Sequence, residues 1–348
     1  MPTTVRKVLT RDGKGQIAVI EQDLPEPSKG QVQIEVKASL ISPGTELGGV
    51  KRSRENPSDR PARPFGYANT GVVIGQGKGC EDVVIGTRVA CMGGGYAEHA
   101  SHANIPRNMA VPMPDGLSFD QAAFLTLAAT ALNAIRRARL EFAEFLAVAG
   151  LGVVGQMACQ LGRLSGCHVI GLDRLPMRLS VAESAGLERP VNIDEEDPVE
   201  VSETFTRGYG LDAGIIAHGG DGNTAFKTLH GMLKQAPDTH KMGRIVIVGG
   251  ARIDHTFAAA LGNIDVRSAA RTGAGYHDDT WEHGGDYPPV FVQWTTRRNL
   301  EECLLLIENG SLDVEPLVTH RSPIDLAPDA CEDLIQRPNE ALGVVVNP

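Results

Sequence analysis

The sequence predicts an α/β protein in which a doubly wound parallel sheet is set into a mostly β unit. Three observations predict it. Apolar strand patterns alternate with helical ones from about residue 128 to 270. The stretch before them is rich in short β patterns broken by glycine and proline, and the stretch after them returns to mixed character and ends on the β pattern Leu342–Val346. The expected division is therefore residues 1–127 with 271–348 as one domain and 128–270 as the other.

In the first part, Gln31–Val36 alternates polar and apolar residues as a half-buried strand does. Gly71–Ile74 and Thr87–Cys91 are further apolar runs next to glycines. Between them, Ser42–Phe65 carries Gly44, Gly48, Gly49, Pro57, Pro61 and Pro64 and reads as loop. Ser118 is a helix cap ahead of an Ala/Leu-rich helical segment, Gln121–Ala138. The alternation follows: strand Phe145–Ala149, helix Val153–Leu164, strand His168–Leu172, helix Pro176–Ala185, strand Ala213–Ala217, helix Thr224–Lys234 and strand Arg244–Val248. The tail holds an aromatic, Gly-rich stretch, Gly275–Trp294, and a helix Asn299–Asn309.

Composition narrows the classes of function. The chain has 348 residues, 42% hydrophobic and 22% charged, with a net charge of −10. That is an ordinary globular composition. An acidic chain without a Lys/Arg block is a poor match for nucleic acid. No run of about 18 apolar residues suggests a membrane span, and the first residues lack a signal peptide's apolar core. Six scattered cysteines without a CxxC pair read as reduced thiols and imply a cytoplasmic setting.

The strongest motif is Gly150-Leu-Gly152-Val153-Val154-Gly155, directly after an apolar strand and opening an apolar helix. This is the setting in which GxGxxG binds a dinucleotide: a tight turn, a close approach of pyrophosphate to backbone, and close helix–strand packing. Free N–H groups at the helix start then meet the phosphates. The doubly wound unit is accordingly a Rossmann domain. Asp173 ends the next strand, about 20 residues on, where a carboxylate accepts from the adenosine ribose hydroxyls and repels a 2′-phosphate. The expected cofactor is NAD. Arg174 alongside keeps NADP open. His218 ends an apolar strand at the cofactor edge and is a further candidate contact.

Along nearly its whole length the chain also resembles the medium-chain dehydrogenase/reductase superfamily, the zinc alcohol dehydrogenase fold. The likeness is carried by Gly66, Gly71-Val-Val, Gly86-Thr-Arg-Val-Ala, Gly95-Tyr-Ala-Glu, Val111-Pro-Met-Pro-Asp115, the Gly150 fingerprint and Gly243-Arg-Ile-Val-Ile-Val-Gly249. It implies a GroES-like β catalytic domain around the Rossmann domain and a homodimer. Thr130, Val248, Gly249 and Gly273 match positions beside the nicotinamide. Where zinc members carry ligands this chain has Ser42, Tyr67 and Thr126, so the expectation is no metal. Ser39-Leu-Ile-Ser-Pro-Gly-Thr-Glu46, Gly66-Tyr67, Asp286-Tyr-Pro-Pro and Trp294-Thr-Thr-Arg-Arg-Asn299 are similar to a zinc-lacking subgroup that includes the dehydrogenase half of two-part sugar and inositol oxidoreductases.

The resemblance implies a small-molecule substrate: a secondary alcohol, or its ketone, on a sugar, glycoside or cyclitol ring. Without zinc a side chain must handle the proton. Tyr67 is the leading candidate, given a lowered pKa, with Glu46 second and His277 third. Ser42, Thr126, Tyr276 and Trp294 are expected to line the substrate, with Asp286, Tyr287 and Arg298 as further candidates. His99 and His102 read as structural. The competing readings are an NAD(P)H-dependent quinone or enoyl reductase and a non-catalytic cofactor-binding scaffold.

Overall fold

A computed structural model describes residues 5–256 and 258–348. The chain divides into two compact units, Met1–Ala129 with Thr272–Pro348, and Thr130–Arg271.

The first unit is built on the strand Gln31–Ile41, whose residues alternate between half-buried and buried before the last four are all buried. It pairs antiparallel with Ala68–Gln76 on one side, and with Gly343–Asn347 and His102–Pro106 on the other. The full sheet runs Val318–Pro323, Gly343–Asn347, Gln31–Ile41, Ala68–Gln76, Arg88–Met92, Ala110–Pro112. The C-terminal strand thus completes a sheet begun by Gln31–Ile41, which is how one unit is made from both parts of the chain. Val5–Arg11 and Ile17–Asp23 form a separate hairpin. Leu9, Ile41, Leu47, Val50, Phe65, Cys331 and Val346 share one apolar core.

The second unit is a six-stranded parallel sheet in the order Arg189–Asn192, His168–Asp173, Phe145–Ala149, Ala213–Ile216, Met242–Val248, Asn263–Ala269. This is the doubly wound order, with the first strand at the point where the winding reverses. Phe145–Ala149 and Ala213–Ile216 are buried at every residue. Helices cover both faces of such strands, so they read as unbroken apolar runs.

Three expectations change. The stretch Ser42–Phe65 is not all loop: a π-type turn, Pro43–Leu47, runs into a helix, Gly48–Glu55. Only Gly49 and Val50 of that helix are buried, too few for a helical period to show. The segment Gln121–Ala138 is two helices, Phe119–Ala122 and Leu125–Ala138, the first capped by Ser118, whose Oγ accepts from the Gln121 N–H at 3.2 Å. The edge strand Asn263–Ala269 is mostly exposed or half-buried, and its polar Asn263, Asp265 and Arg267 hide the strand pattern.

Candidate active site

The turn after Phe145–Ala149 forms a cradle. Gly150 has φ +93°, a conformation that L side chains avoid. A Cβ on Gly155 would lie 1.8 Å from the Gly150 carbonyl oxygen, so the helix Val153–Leu164 packs on the strand only with glycine there. A Cβ on Gly152 would meet nothing within 4 Å. Gly152 is the helix N-cap and no side chain caps it. Open space in front of uncapped N–H groups fits a pyrophosphate, with Val153 and Val154 supplying the first turn. His218 lies against this turn, since its side chain is what a Cβ on Gly150 would meet first, at 3.3 Å. Its Nδ1 is 3.1 Å from the Gly219 carbonyl.

Asp173 is at the end of the neighbouring strand and is buried. Its carboxylate is already engaged. Oδ2 accepts from Leu151 N–H at 2.7 Å, and Oδ1 accepts from Arg174 and Leu175 N–H at 2.8 and 3.0 Å. Arg178 stands 3.6 Å away. Asp173 therefore clasps the glycine turn, a role that residue type and position do not reveal. The Arg174 side chain is exposed. Val248 and Gly249 end the strand Met242–Val248, and Thr130 begins this unit.

In the first unit Ser42, Glu46, Tyr67 and Thr126 gather around one close approach. Gly66 has φ +128°, and a Cβ there would come within 2.5 Å of His99 N and 2.7 Å of Glu98 Cα. The chain Phe65–Tyr67 can therefore lie hard against Glu98–His99, with His99 N–H donating to the Phe65 carbonyl at 3.1 Å. Ser42 follows the central strand, Pro43 starts the turn, and Glu46 folds back so that Oε2 accepts from Ser42 N–H at 2.7 Å. His99 is wholly buried: Nε2 is 3.2 Å from Glu46 Oε2, Nδ1 is 2.9 Å from Ser39 Oγ, and the Phe65 ring meets it edge-on at 5.4 Å. Glu46 Oε1 is buried without a hydrogen-bond partner.

Tyr67 is half-buried beside this group. Burial, and then the Glu46 carboxylate, push its phenol above the usual range, while hydrogen bonds from Ser42 and Thr45 pull the other way. The net direction is opposite to the lowering that a phenolate base needs. The Thr126 hydroxyl donates to the Tyr67 carbonyl at 3.4 Å. Tyr276, whose charge also bears on Tyr67, accepts the Gly94 N–H at 2.8 Å and stacks on His277 at 3.9 Å. His277 itself is exposed, with φ +72° and its N–H donated to Glu282 at 2.7 Å. Trp294 is 37% exposed, but the Arg298 guanidinium covers one face at 3.9 Å. Gly273 is packed: a Cβ would come within 2.8 Å of Asn299 and 3.0 Å of the Trp294 carbonyl. Sequence reasoning missed Thr45 as a partner of Tyr67 and read His99 as structural.

Among the described residues no group of three or more His, Cys, Asp or Glu could hold a metal ion. Ser42, Tyr67 and Thr126 offer neutral hydroxyls, and both ring nitrogens of His99 are engaged. This donor set does not fit zinc.

A family described as zinc-binding dehydrogenase matches residues 153–282, a stretch that contains none of those three positions. An uncharacterized zinc-type alcohol dehydrogenase-like protein of Escherichia coli K12 is 24% identical, over 91% of this chain and 92% of that protein. D-arabitol-phosphate dehydrogenase of Enterococcus avium is 23% identical, over 90% and 89%. Quinone oxidoreductase of Salmonella typhimurium LT2 is 29% identical, over 56% of this chain and 60% of that protein. The chain is similar to the zinc-type alcohol dehydrogenase-like superfamily, the medium-chain dehydrogenases/reductases, in its family match, its relatives and its fold.

Solved structures agree with this superfamily's fold. An Escherichia coli oxidoreductase/dehydrogenase of unknown specificity superposes with a TM-score of 0.81, at 18% identity and 99% coverage of both chains. A protein described as a short chain alcohol dehydrogenase from Escherichia coli CFT073, complexed with NADH, gives 0.78 at 18% identity and 99% coverage of both. A protein assigned to the zinc-binding dehydrogenases from Sinorhizobium meliloti 1021, bound to NADP, gives 0.78 at 19% identity, covering 99% of this chain and 100% of that one. Medium-chain dehydrogenases/reductases use nicotinamide cofactors, and the cradle at Gly150–Gly155 fits one.

Proposed function

We propose that this chain is a zinc-independent, NAD-dependent oxidoreductase that interconverts a secondary alcohol and its ketone on a sugar, glycoside or cyclitol ring. The observation that carries the reading is the packing of Tyr67 against Ser42, Thr45 and Glu46, where hydroxyls and a carboxylate stand in place of thiolates and imidazoles. Such a set handles a proton rather than a metal. When bound, the dinucleotide supplies the hydride acceptor or donor.

Gly150, Gly152 and Gly155 with the first turn of the helix would hold its pyrophosphate. Asp173 would hold the turn, with Arg174 and His218 at the ribose side. Thr130, Val248, Gly249 and Gly273 are the positions proposed for the nicotinamide end. Tyr67 is proposed to hydrogen-bond the reacting oxygen, with Ser42, Thr126, Tyr276 and Trp294 binding the rest of the substrate. His277 is the alternative proton carrier.

A polyol-type substrate is supported by the resemblance to D-arabitol-phosphate dehydrogenase. A screen of NAD and NADP against cyclitols, pyranosides and simple alcohols, with and without chelator, tests the proposal. Turnover with NAD that survives the chelator is the expected result, and turnover abolished by the chelator would overturn zinc independence.

The second reading is an NAD(P)H-dependent quinone or enoyl reductase. It is favoured by the likeness to quinone oxidoreductase and by the three backbone N–H groups that already occupy Asp173, which leave less of its charge to repel a 2′-phosphate. NADPH turnover of a quinone or enone in the same screen, with no alcohol oxidised, would replace the first reading by this one.

A further inference from the structure

We propose, resting on the alcohol oxidoreductase reading above, that Tyr276 selects a ring-shaped alcohol and that the buried Glu282 is its positioning residue. Both belong to the loop 275–282, which the fold brings against the loop 93–96 of the same unit. The loops meet at Tyr276, whose hydroxyl oxygen accepts the Gly94 N–H at 2.8 Å. They meet again at Tyr96, whose hydroxyl has the Glu282 carboxylate as a hydrogen-bond partner. Burial first, and then the Glu282 charge, hold the Tyr96 phenol above its usual range.

Glu282 also acts within its own loop. It is 4% exposed, and its Oε1 accepts the His277 N–H at 2.7 Å. His277 has φ +72°, which a residue with a side chain keeps only where its surroundings fix it. The His277 ring lies on the Tyr276 ring, with centroids 3.9 Å apart and planes at 24°. Glu282 therefore holds His277, and His277 covers one face of Tyr276. Glu282 is itself set by the short helix Asp279–Glu282. Its cap is Asp278, whose Oδ1 accepts from Thr280 and Trp281 N–H at 3.1 and 3.2 Å. Gly275 has φ +104°, and a Cβ there would come within 2.4 Å of the Trp281 ring, so the loop lies directly on the indole.

The charge of Tyr276 bears on Tyr67 as well as on Tyr96, so its ring stands near the phenol proposed to bond the reacting oxygen. The face that His277 does not cover is the one proposed for the substrate. A phenol presents an apolar face with a polar tip, which suits the C–H face and hydroxyl rim of a pyranose or cyclitol. A short open-chain alcohol has no such face and gains nothing there. Selection then depends on how the Tyr276 ring is turned, and Glu282 sets that without touching the substrate.

The first arm of the test uses the full chain without substrate. Hydrogen exchange at the His277 amide, followed by NMR, should be slow in the wild type and faster by about tenfold or more in Glu282→Ala. Wild-type exchange as fast as the variant's would overturn the proposal. The second arm is the KM for the cyclitol or pyranoside that turns over with NAD, divided by the KM for butan-2-ol. Glu282→Ala should raise this ratio about two- to tenfold, the effect of one hydrogen bond. Glu282→Gln, whose amide oxygen can still take the His277 N–H, should keep the ratio close to that of the wild type. In a Tyr276→Ala background, Glu282→Ala should change the ratio no further, because its effect passes through that ring. An unmoved ratio in Glu282→Ala, or effects of the two substitutions that multiply, would overturn the proposal. Should Glu282→Ala not fold, Tyr276→Phe removes the partner of the Gly94 N–H and keeps the ring, and an unmoved ratio there overturns the proposal equally. If alcohols turn over while the His277 amide is unprotected, this proposal falls and the alcohol reading stands. If no alcohol turns over while that amide is protected, the alcohol reading falls and the selection falls with it.

Discussion

Two substitutions one turn apart should separate phosphate binding from packing. In Gly155→Ala the new Cβ starts 1.8 Å from the Gly150 carbonyl oxygen. Carbon and oxygen in contact stand about 3.3 Å or more apart, so helix and strand must separate by about 1.5 Å. Every residue of Phe145–Ala149 and most of the helix Val153–Leu164 are buried, so the displacement spreads through close-packed core. Such overpacking costs about 1–3 kcal/mol. For a unit of this size that lowers the melting temperature by roughly 3–10 °C.

Gly152→Ala is the counterpart. Its φ is −68° and its Cβ meets no atom within 4 Å, so the folded protein tolerates it. The methyl group would instead occupy the space proposed for the pyrophosphate. Losing one charge-assisted hydrogen bond, at about 1.5–3 kcal/mol, weakens dinucleotide binding by about 10- to 100-fold. Thermal melts and calorimetric titration with NAD read the two effects separately. Gly155→Ala should lose both stability and affinity, and Gly152→Ala affinity alone. If Gly152→Ala bound NAD as tightly as the wild type, the cradle would not be where the pyrophosphate lies.

Four more predictions concern other parts of the chain. Tyr67→Phe should reduce kcat by about 10²–10⁴-fold while the melting temperature changes little, and an unchanged kcat would remove Tyr67 from the chemistry. All six cysteines are buried, so no thiol of the native protein should react promptly with a disulfide reagent at pH 8; prompt reaction of even one would contradict this burial. Burial raises the Cys159 thiol from 9.0 to about 12. A proton held more tightly in the folded state stabilises it fully below about pH 9, and that contribution is lost as pH rises from 9 toward 12. Melting temperatures from pH 7 to 10.5 should therefore fall above 9, and Cys159→Ala should flatten the slope; equal slopes would refute this. Trp294→Ala should raise KM for a ring substrate by about two- to tenfold with kcat retained, because the indole is proposed to line the substrate and takes no part in the proton or hydride transfer. An unchanged KM would show that the indole does not meet the substrate.

The chain's local patterns determined the parallel sheet and its cradle. Phe145–Ala149 and Val153–Leu164 are legible because the strand is buried at every residue and the helix over most of its length, which forces a continuous apolar run on the one and a largely apolar helix on the other. Gly150 and Gly155 are legible because backbone conformation and contact admit no side chain. The edge strand Asn263–Ala269 and the helix Gly48–Glu55 bury little, so burial imposed no pattern to read.

Around Tyr67 residue types named candidates, but only tertiary structure decided their relations. Ser39 and Glu46, Tyr67, and His99 lie on three stretches of chain, and Gly66 lets the last two come into contact. Nothing local in the sequence records that Asp173 holds a turn, that Arg298 covers Trp294, or that burial moves the Tyr67 phenol upward. Spacing along the chain encodes which face of an element is buried. Partners and ionisation depend on what lies across space, and that follows only from the folded chain.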